Sequence, residues 1–253
     1  MSTTNELQYE LYYWPSLQGR GEFVRLAFEE AGCPYREMGR LPAARGGGVH
    51  AIQRMMRGVA GGLRPFAPPI LKYGDLVLAQ TANILLWLAP RLGLVPNDET
   101  TRIIANQVQL SIMDLVAEVH DTHHPVASTL YYEDQKDEAK RKSEMFVAKR
   151  MPQWLGYFED VMQRNEQSQG RHLVTAGFTY VDLSMFQVLE GLAYAFPNAL
   201  AHAKPSIPRL LALRDHVASR PNIAAYLASN RRLPFNETGI FRRYPELDIQ
   251  VAP

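Results

Sequence analysis

One cysteine, Cys33, stands in a chain of 253 residues, so no disulfide can close within it, and a reducing compartment fits that count. No apolar run reaches the ~20 residues that a membrane-spanning helix needs. The most apolar stretch, around Ile84 to Leu88, is short and belongs to an amphipathic pattern. The opening MSTTNELQYELYYW lacks a basic region followed by an apolar one, so no secretory signal is expected. No sign of charge dominates: 27 Lys and Arg stand against 26 Asp and Glu, a net charge of +1. Such a balance offers no field to draw nucleic acid or an anionic membrane. There are no repeats and no low-complexity tracts. What is present is ordinary globular material, 46% hydrophobic and 21% charged, in a length that can bury a sizeable core. The expectation is a cytoplasmic protein that binds neither nucleic acid nor membrane.

The first part alternates strands and helices. Gln8 to Trp14 reads as a strand, with Tyr9, Leu11 and Tyr13 on one side, and Pro15 ends it. After the loop PSLQG, Glu22 to Ala31 has helical spacing, and Gly32 stops it. Pro34 to Met38 reads as a second strand. Residues 39–65 are glycine-rich, with Gly46, Gly47 and Gly48, then Gly58, Gly61 and Gly62; they predict a mobile surface excursion holding one short helix, Val49 to Met56. Ile70 to Tyr73 and Leu76 to Ala79 flank Gly74-Asp75 as a β-hairpin. Thr81 is expected to cap a helix from Ala82 to Leu92, which Gly93 ends.

Val95-Pro96-Asn97 reads as a linker, and no convincing strand follows it. Asp98 is a candidate N-cap for a long helix to His120. Further helices are expected over Gln135 to Arg164, from Thr179, over Ile207 to Ser219 and over Ile223 to Ser229. The tail from Leu233 to Pro253 reads as irregular. The architecture expected is an α+β domain over 1–95 and an all-helical domain over 98–253.

Three segments, in order, resemble the cytosolic glutathione transferases of the tyrosine type, the mu, pi and sigma classes. They are YELYYWPSLQGRGEFVRLAFEEAG, PPILKYGDLVLAQTANILLWLAPRLGL and HLVTAGFTYVDLSMF. The resemblance covers nearly the whole chain. It implies a thioredoxin-like N-terminal domain that binds glutathione as co-substrate, an all-α C-terminal domain and, by the family's habit, a homodimer.

The resemblance makes Tyr13 the catalytic residue. A thiol of pKa about 8.5 is mostly protonated at neutral pH, and the thiolate is the nucleophile. A phenol that donates a hydrogen bond to sulfur favours the charged form. Tyr12 falls on the opposite face of the strand. Ser16 is a competing hydroxyl, but its spacing to Arg20 fits the serine-type classes poorly. Cys33 lies beyond the first helix, far from the donor position of the cysteine-type classes.

The resemblance implies that Arg20 holds glutathione or orders the tyrosine loop. It implies a cis bond before Pro69, with Pro68 pairing its backbone to the peptide, although a proline offers an acceptor and no N–H. It places the γ-glutamyl carboxylate at Gln80-Thr81, on a helix N-terminus. Thr179 and Asp182 form a capping box with a structural role. Leu110 stands where many relatives carry an aspartate that reaches the partner subunit, with Asp114 one turn on. Arg45, Arg57 and Arg64 have no assigned counterpart.

His124, Tyr131, Tyr132 and Phe235 are candidate walls of a second-substrate pocket. His120, His123 and His124 have metal-ligand spacing, but no second ligand cluster accompanies them. A helix C-terminus rich in histidine and stopped by Pro125 explains them without a metal. The reaction expected is conjugation of glutathione to hydrophobic electrophiles. A ligand carrier without turnover, or a glutathione-dependent peroxidase, isomerase or etherase, uses the same chassis.

Overall fold

The computed structural model describes residues 8–58 and 63–249, so residues 1–7, 59–62 (Gly61 and Gly62 among them) and 250–253 lie outside the description. The N-terminal elements are β1 (Tyr9–Tyr12), α1 (Gly21–Glu30), β2 (Tyr35–Glu37), α2 (Val49–Met56), β3 (Ile70–Tyr73), β4 (Leu76–Ala79) and α3 (Thr81–Leu88). The strands form one sheet in the order β2-β1-β3-β4. β1 and β2 are parallel, Leu11 opposite Glu37, while β3 runs antiparallel to both β1 and β4. The two-residue connection at Gly74-Asp75 uses Gly74 at φ 58° to turn the hairpin.

Alternation along β1 sorts its side chains between two cores. Leu11 joins Leu71, Phe23, Leu26 and the α3 residues Ile84 and Leu85. Tyr12 faces the other way and joins Met38, Ile52, Met55 and Ile70. That second cluster corrects the expectation of a surface excursion over 39–65. α2 presents Ala51, Ile52 and Met55 at helical spacing and buries them against the sheet.

The helical part is α4 (Glu99–Asp121), α5 (Lys136–Met145), α6 (Met151–Arg164), α7 (Tyr180–Ala195), α8 (Pro197–Ala203), α9 (Pro208–Ser219) and α10 (Pro221–Leu227). α7 is buried on nearly every side and packs on α1, α4 and α9. Its start is the expected capping box: Asp182 accepts from the Thr179 N–H at 2.7 Å and from its hydroxyl at 3.2 Å. Asp98 caps α4 by accepting from the Thr101 N–H at 2.8 Å.

Three features of the helical part differ from the sequence reading. The helix expected over Gln135 to Arg164 is divided by a π-type turn at Phe146–Arg150. Pro152 follows that turn and has no N–H for the carbonyl four residues back, so the backbone bonds widen upstream of it. α8 was not foreseen; Pro197 opens it, and Asp248 of the tail accepts from Asn198 and Ala199 N–H groups at 2.8 and 3.0 Å. α10 begins at Pro221, two residues early, because proline suits a first helical position. The described tail is irregular as expected, yet it is anchored, with Ile240, Phe241 and Leu247 buried.

Candidate functional site

Tyr13 lies one residue beyond β1, where the chain leaves the sheet for the loop to α1. Its ring lies against residues 19–21. A Cβ on Gly19 would overlap the phenol oxygen, and one on Gly21 would meet the ring carbons. Gly19 also has φ +46°. Only glycine satisfies both the left-handed backbone and the missing volume. The phenol oxygen accepts a hydrogen bond from the Arg20 N–H at 2.8 Å. Among the described residues no acceptor takes the phenol's own proton, which leaves it free for an arriving group.

Burial raises the Tyr13 pKa, and the Arg20 N–H with the Arg20 and Arg25 charges offsets part of that rise. The phenol is therefore neutral at physiological pH and keeps its proton. Arg25 reinforces the same polarity, its guanidinium carbon 5.5 Å from the ring centroid.

Arg20 links the phenol to α3. Its N–H serves Tyr13, and its carbonyl accepts from the Thr81 hydroxyl at 3.4 Å. This corrects the expected role of Thr81 as N-cap: it is the first residue of α3, and its hydroxyl faces Arg20 rather than the helix amides. Gln80 precedes it at φ 69°, ψ 120°. A side chain held there costs on the order of 1–3 kcal/mol, a strain that often marks a binding site. Arg20, Gln80 and Thr81 line one side of a cleft of about 320 Å³, and Asn106, Leu110 and Met113 of α4 line the other. The α3 helix also ends earlier than expected, at Leu88, with Gly93 closing the following turn at φ 68°. The Pro68–Pro69 bond is cis, and Pro69 is buried directly before β3.

The other four sequence candidates do not form a single open wall. His124 is buried, 4.8 Å in ring centroids from both His120 and His123. Tyr132 is buried too; it donates to Glu246 at 2.9 Å and stacks on Tyr244 of the tail. Tyr131 is exposed. Phe235 stacks on Tyr194 of α7 at 5.2 Å. Among the described residues no group of three acidic, histidine or cysteine side chains is arranged to hold a metal ion.

Burial pushes His120 down to about 4, helped by the His124 and Arg20 charges. Burial likewise takes His123 down to about 3, although its Nε2 bonds the Ile240 carbonyl at 2.8 Å. Both rings are neutral at pH 7 in the fold and charged at pH 5 once unfolded. The unfolded chain then binds more protons, so stability is full above pH 6.5 and falls as pH drops toward 4. The loss at pH 4 is on the order of 3 kcal/mol for each ring. Thermal midpoints across pH 4–8 check this, and His123→Gln, which does not titrate, is expected to flatten the slope. An equal slope in both proteins rejects the assignment.

Several residues that shape the site escaped the sequence reading. Gly19 and Gly21 shape Tyr13's seat; the Gly-Arg-Gly run was their signal. Gln18 is buried, bonds the Leu233 carbonyl of the tail, and accepts from Gln187 of α7 at 2.8 Å. Glu22 and Arg25 are fully buried on α1 and joined at 2.9 Å. Their i,i+3 spacing was the only mark they left. A Gly19→Ala chain is expected to lose about tenfold or more in turnover, because the phenol must move off the Arg20 N–H. Turnover within twofold of the wild type would show that the seat tolerates a methyl group.

Residues 120–230 match the family described as glutathione S-transferase, C-terminal domain. The chain is 24% identical over 225 residues to the glutathione S-transferase of Plasmodium falciparum, covering 87% of this chain and 95% of that one. It is 27% identical to the glutathione S-transferase P of Bos taurus, covering 91% and 98%. Among solved structures, the pi-class glutathione S-transferase of Onchocerca volvulus superposes with a TM-score of 0.66 at 18% identity, over 87% of this chain and 92% of that one. Another such structure is the prostaglandin synthase D of Nilaparvata lugens, with a TM-score of 0.66 at 17% identity. In its helical C-terminal half and over most of its length, the chain is similar to the glutathione S-transferases.

Proposed function

We propose that the protein transfers hydrophobic electrophiles onto the sulfur of glutathione, with Tyr13 as the catalytic residue. The observation that carries this is the state of its phenol: buried, neutral, accepting from the Arg20 N–H, with its own proton unclaimed among the described residues. Such a donor stabilises a thiolate in place. The thiol proton leaves to solvent, the sulfur lone pair forms the new C–S bond, and the electrophile's leaving group departs with its electron pair.

Arg20, Gln80 and Thr81 are read as the anchor for glutathione's γ-glutamyl end. The first turn of α3 adds unpaired N–H groups and the positive end of the helix dipole. Pro68 is read as accepting from the peptide's cysteinyl N–H through its carbonyl. Having no N–H, it makes one bond of what is otherwise a pair. The N-terminal domain, taken as 1–95, then carries glutathione, and the helical domain, taken as 98–253, carries the electrophile. His124, Phe235 and the tail around Tyr132 flank that second site. A homodimer and a cytoplasmic role in detoxification belong to the same reading. The dimer would cover apolar side chains exposed in this single copy, Phe66 before β3 and Ile103, Ile104 and Leu110 on α4. No described helix is long and apolar enough to cross a membrane.

Retention on immobilised glutathione together with turnover of an aryl halide tests the proposal. Binding with turnover supports it. Binding without turnover converts the reading to a ligand carrier, and neither result removes glutathione as the thiol.

A further inference from the structure

Arg20 stands between Gly19 and Gly21, and Gly19 is at φ +46°. Two flanking glycines leave the direction of the Arg20 N–H free of side-chain restriction. That N–H nonetheless meets the Tyr13 oxygen at 2.8 Å. What fixes the loop comes from outside it.

The residue before Gly19 is Gln18, buried although polar. Its side-chain amide joins two distant parts of the chain. Its Nε2 donates to the Leu233 carbonyl of the tail. Its Oε1 accepts at 2.8 Å from Nε2 of Gln187, fully buried on α7. The order has a direction. The Leu233 carbonyl can only accept, so the NH2 end of Gln18 must face it. The oxygen end then meets the NH2 of Gln187. Turning the Gln18 amide over would set oxygen on oxygen at one contact and NH2 on NH2 at the other. The Gln18 backbone is held as well: its carbonyl accepts from the Glu22 N–H at 3.0 Å and from the Arg25 guanidinium at 3.2 Å.

The tail binds the same loop at further points. Asn236 donates to the Ser16 carbonyl at 2.9 Å, and Arg232 pairs with Glu22 at 2.5 Å. Arg40 in turn donates to the Arg231 and Asn230 carbonyls at 2.8 and 3.3 Å, which ties the tail to the turn after β2. Residues 230–236 therefore cross the loop with bonds at positions 16, 18 and 22. Of these, the Gln187–Gln18–Leu233 line is the one that ends directly before the glycine seating the phenol, and its two glutamines are buried, where hydrogen bonds hold more firmly than in water.

We propose that Gln18 is a positioning residue for the transfer reaction: tied to Gln187 and Leu233, it holds the Arg20 N–H, and through it the Tyr13 phenol, in aim at the sulfur. The inference rests on the Tyr13 reading and adds that the helical domain and the tail set the phenol's aim. Gln18 acts through the Gly19 and Arg20 peptides and not on the sulfur itself.

Gln18→Met keeps the length of the side chain and removes both amide bonds. In the full chain it is expected to raise the pKa of bound glutathione, read by the ultraviolet absorbance of the thiolate, by about one unit. It is expected to lower kcat at pH 7 about tenfold, with recovery at pH 9, and to change KM for glutathione by less than about threefold. A loosened fold alone would lower the thermal midpoint and leave the titration of the thiol in place. Gln187→Met, from the other side of the bond, is expected to act in the same direction, and the two together no more than Gln18→Met alone. Added to Tyr13→Phe, Gln18→Met is expected to move the thiol no further, since the group it acts through is gone. Asn236→Ala, on the half-buried tail, carries the test if Gln18→Met does not fold, with a rise in the same direction.

An unshifted thiol in folded Gln18→Met, beside a shifted one in Tyr13→Phe, overturns this inference and leaves the Tyr13 reading standing. So does a Gln18→Met shift that persists in full on top of Tyr13→Phe. An unshifted thiol in Tyr13→Phe itself removes that reading, and this inference with it.

Discussion

Tyr13→Phe is expected to raise the pKa of enzyme-bound glutathione by about 2 units and to lower turnover at pH 7 by about 100-fold. The substitution keeps the ring, so the packing against Gly19 and Gly21 remains. What goes is one oxygen that accepts from the Arg20 N–H and, on the proposed reading, offers a proton to sulfur. The first loss leaves a loop amide unpaired, at a cost of about 1 kcal/mol. The second removes the only charge-stabilising contact assigned to the thiolate. The two are separable by experiment. The thermal midpoint reports the loop, while the ultraviolet absorbance of the bound thiolate against pH reports the sulfur. Turnover is expected to recover at pH 9, where ionisation no longer needs help. A thiol titrating at the same pH in both proteins would show that the nucleophile is stabilised elsewhere. Ser16 would then be the first place to look, since its carbonyl is held by Asn236 and its hydroxyl shares the same loop.

The parts of the fold legible in the sequence were those written in short-range pattern. Alternation over Tyr9–Tyr12, the Gly74-Asp75 turn, the Asp98 cap and the Thr179–Asp182 box each depend on residues within four positions of one another. The obscure parts depend on distant partners. α2 looks like a loose insertion until Ile52 meets Tyr12 and Ile70. Thr81 looks like a cap until the carbonyl of Arg20, 61 residues earlier, is beside it. Tyr132 is a plausible pocket wall until Tyr244 and Glu246 of the tail arrive and occupy it. For the site, the residue types near Tyr13 were readable, but their support was not. Nothing local in the sequence announces that Glu22 and Arg25 face inward, because a helix with Glu and Arg three apart is usually a solvated one.

That buried pair sets the largest expected loss of stability. Glu22, fully enclosed in the first turn of α1, accepts from Arg25 at 2.9 Å, from the Tyr226 hydroxyl of α10 at 2.6 Å, and from Arg232 at 2.5 Å. Burial alone would raise its pKa, but the Arg232 and Arg25 charges outweigh burial and hold it below the usual carboxylate range. Glu22→Ala leaves two guanidinium groups in a dry interior with one carboxylate, Glu37, still paired to Arg25 at 3.0 Å. Stripping one partner from a buried pair costs about 3–5 kcal/mol. At roughly 2–4 °C per kcal/mol for a chain of this size, the midpoint is expected to fall by about 10 °C. The damage should also reach the active site, because Arg25 donates to the Leu17 and Gln18 carbonyls at 3.2 Å each, immediately before the Gly19-Arg20 segment that seats the phenol. Glu22→Gln keeps the shape and an acceptor for Tyr226, so it is expected to fall between wild type and Glu22→Ala. Denaturant unfolding of the three proteins measures the order. A Glu22→Ala chain within 1 kcal/mol of wild type would mean that Arg25 and Arg232 find water on losing it, and that the joint between α1 and α10 is wetter than its burial implies.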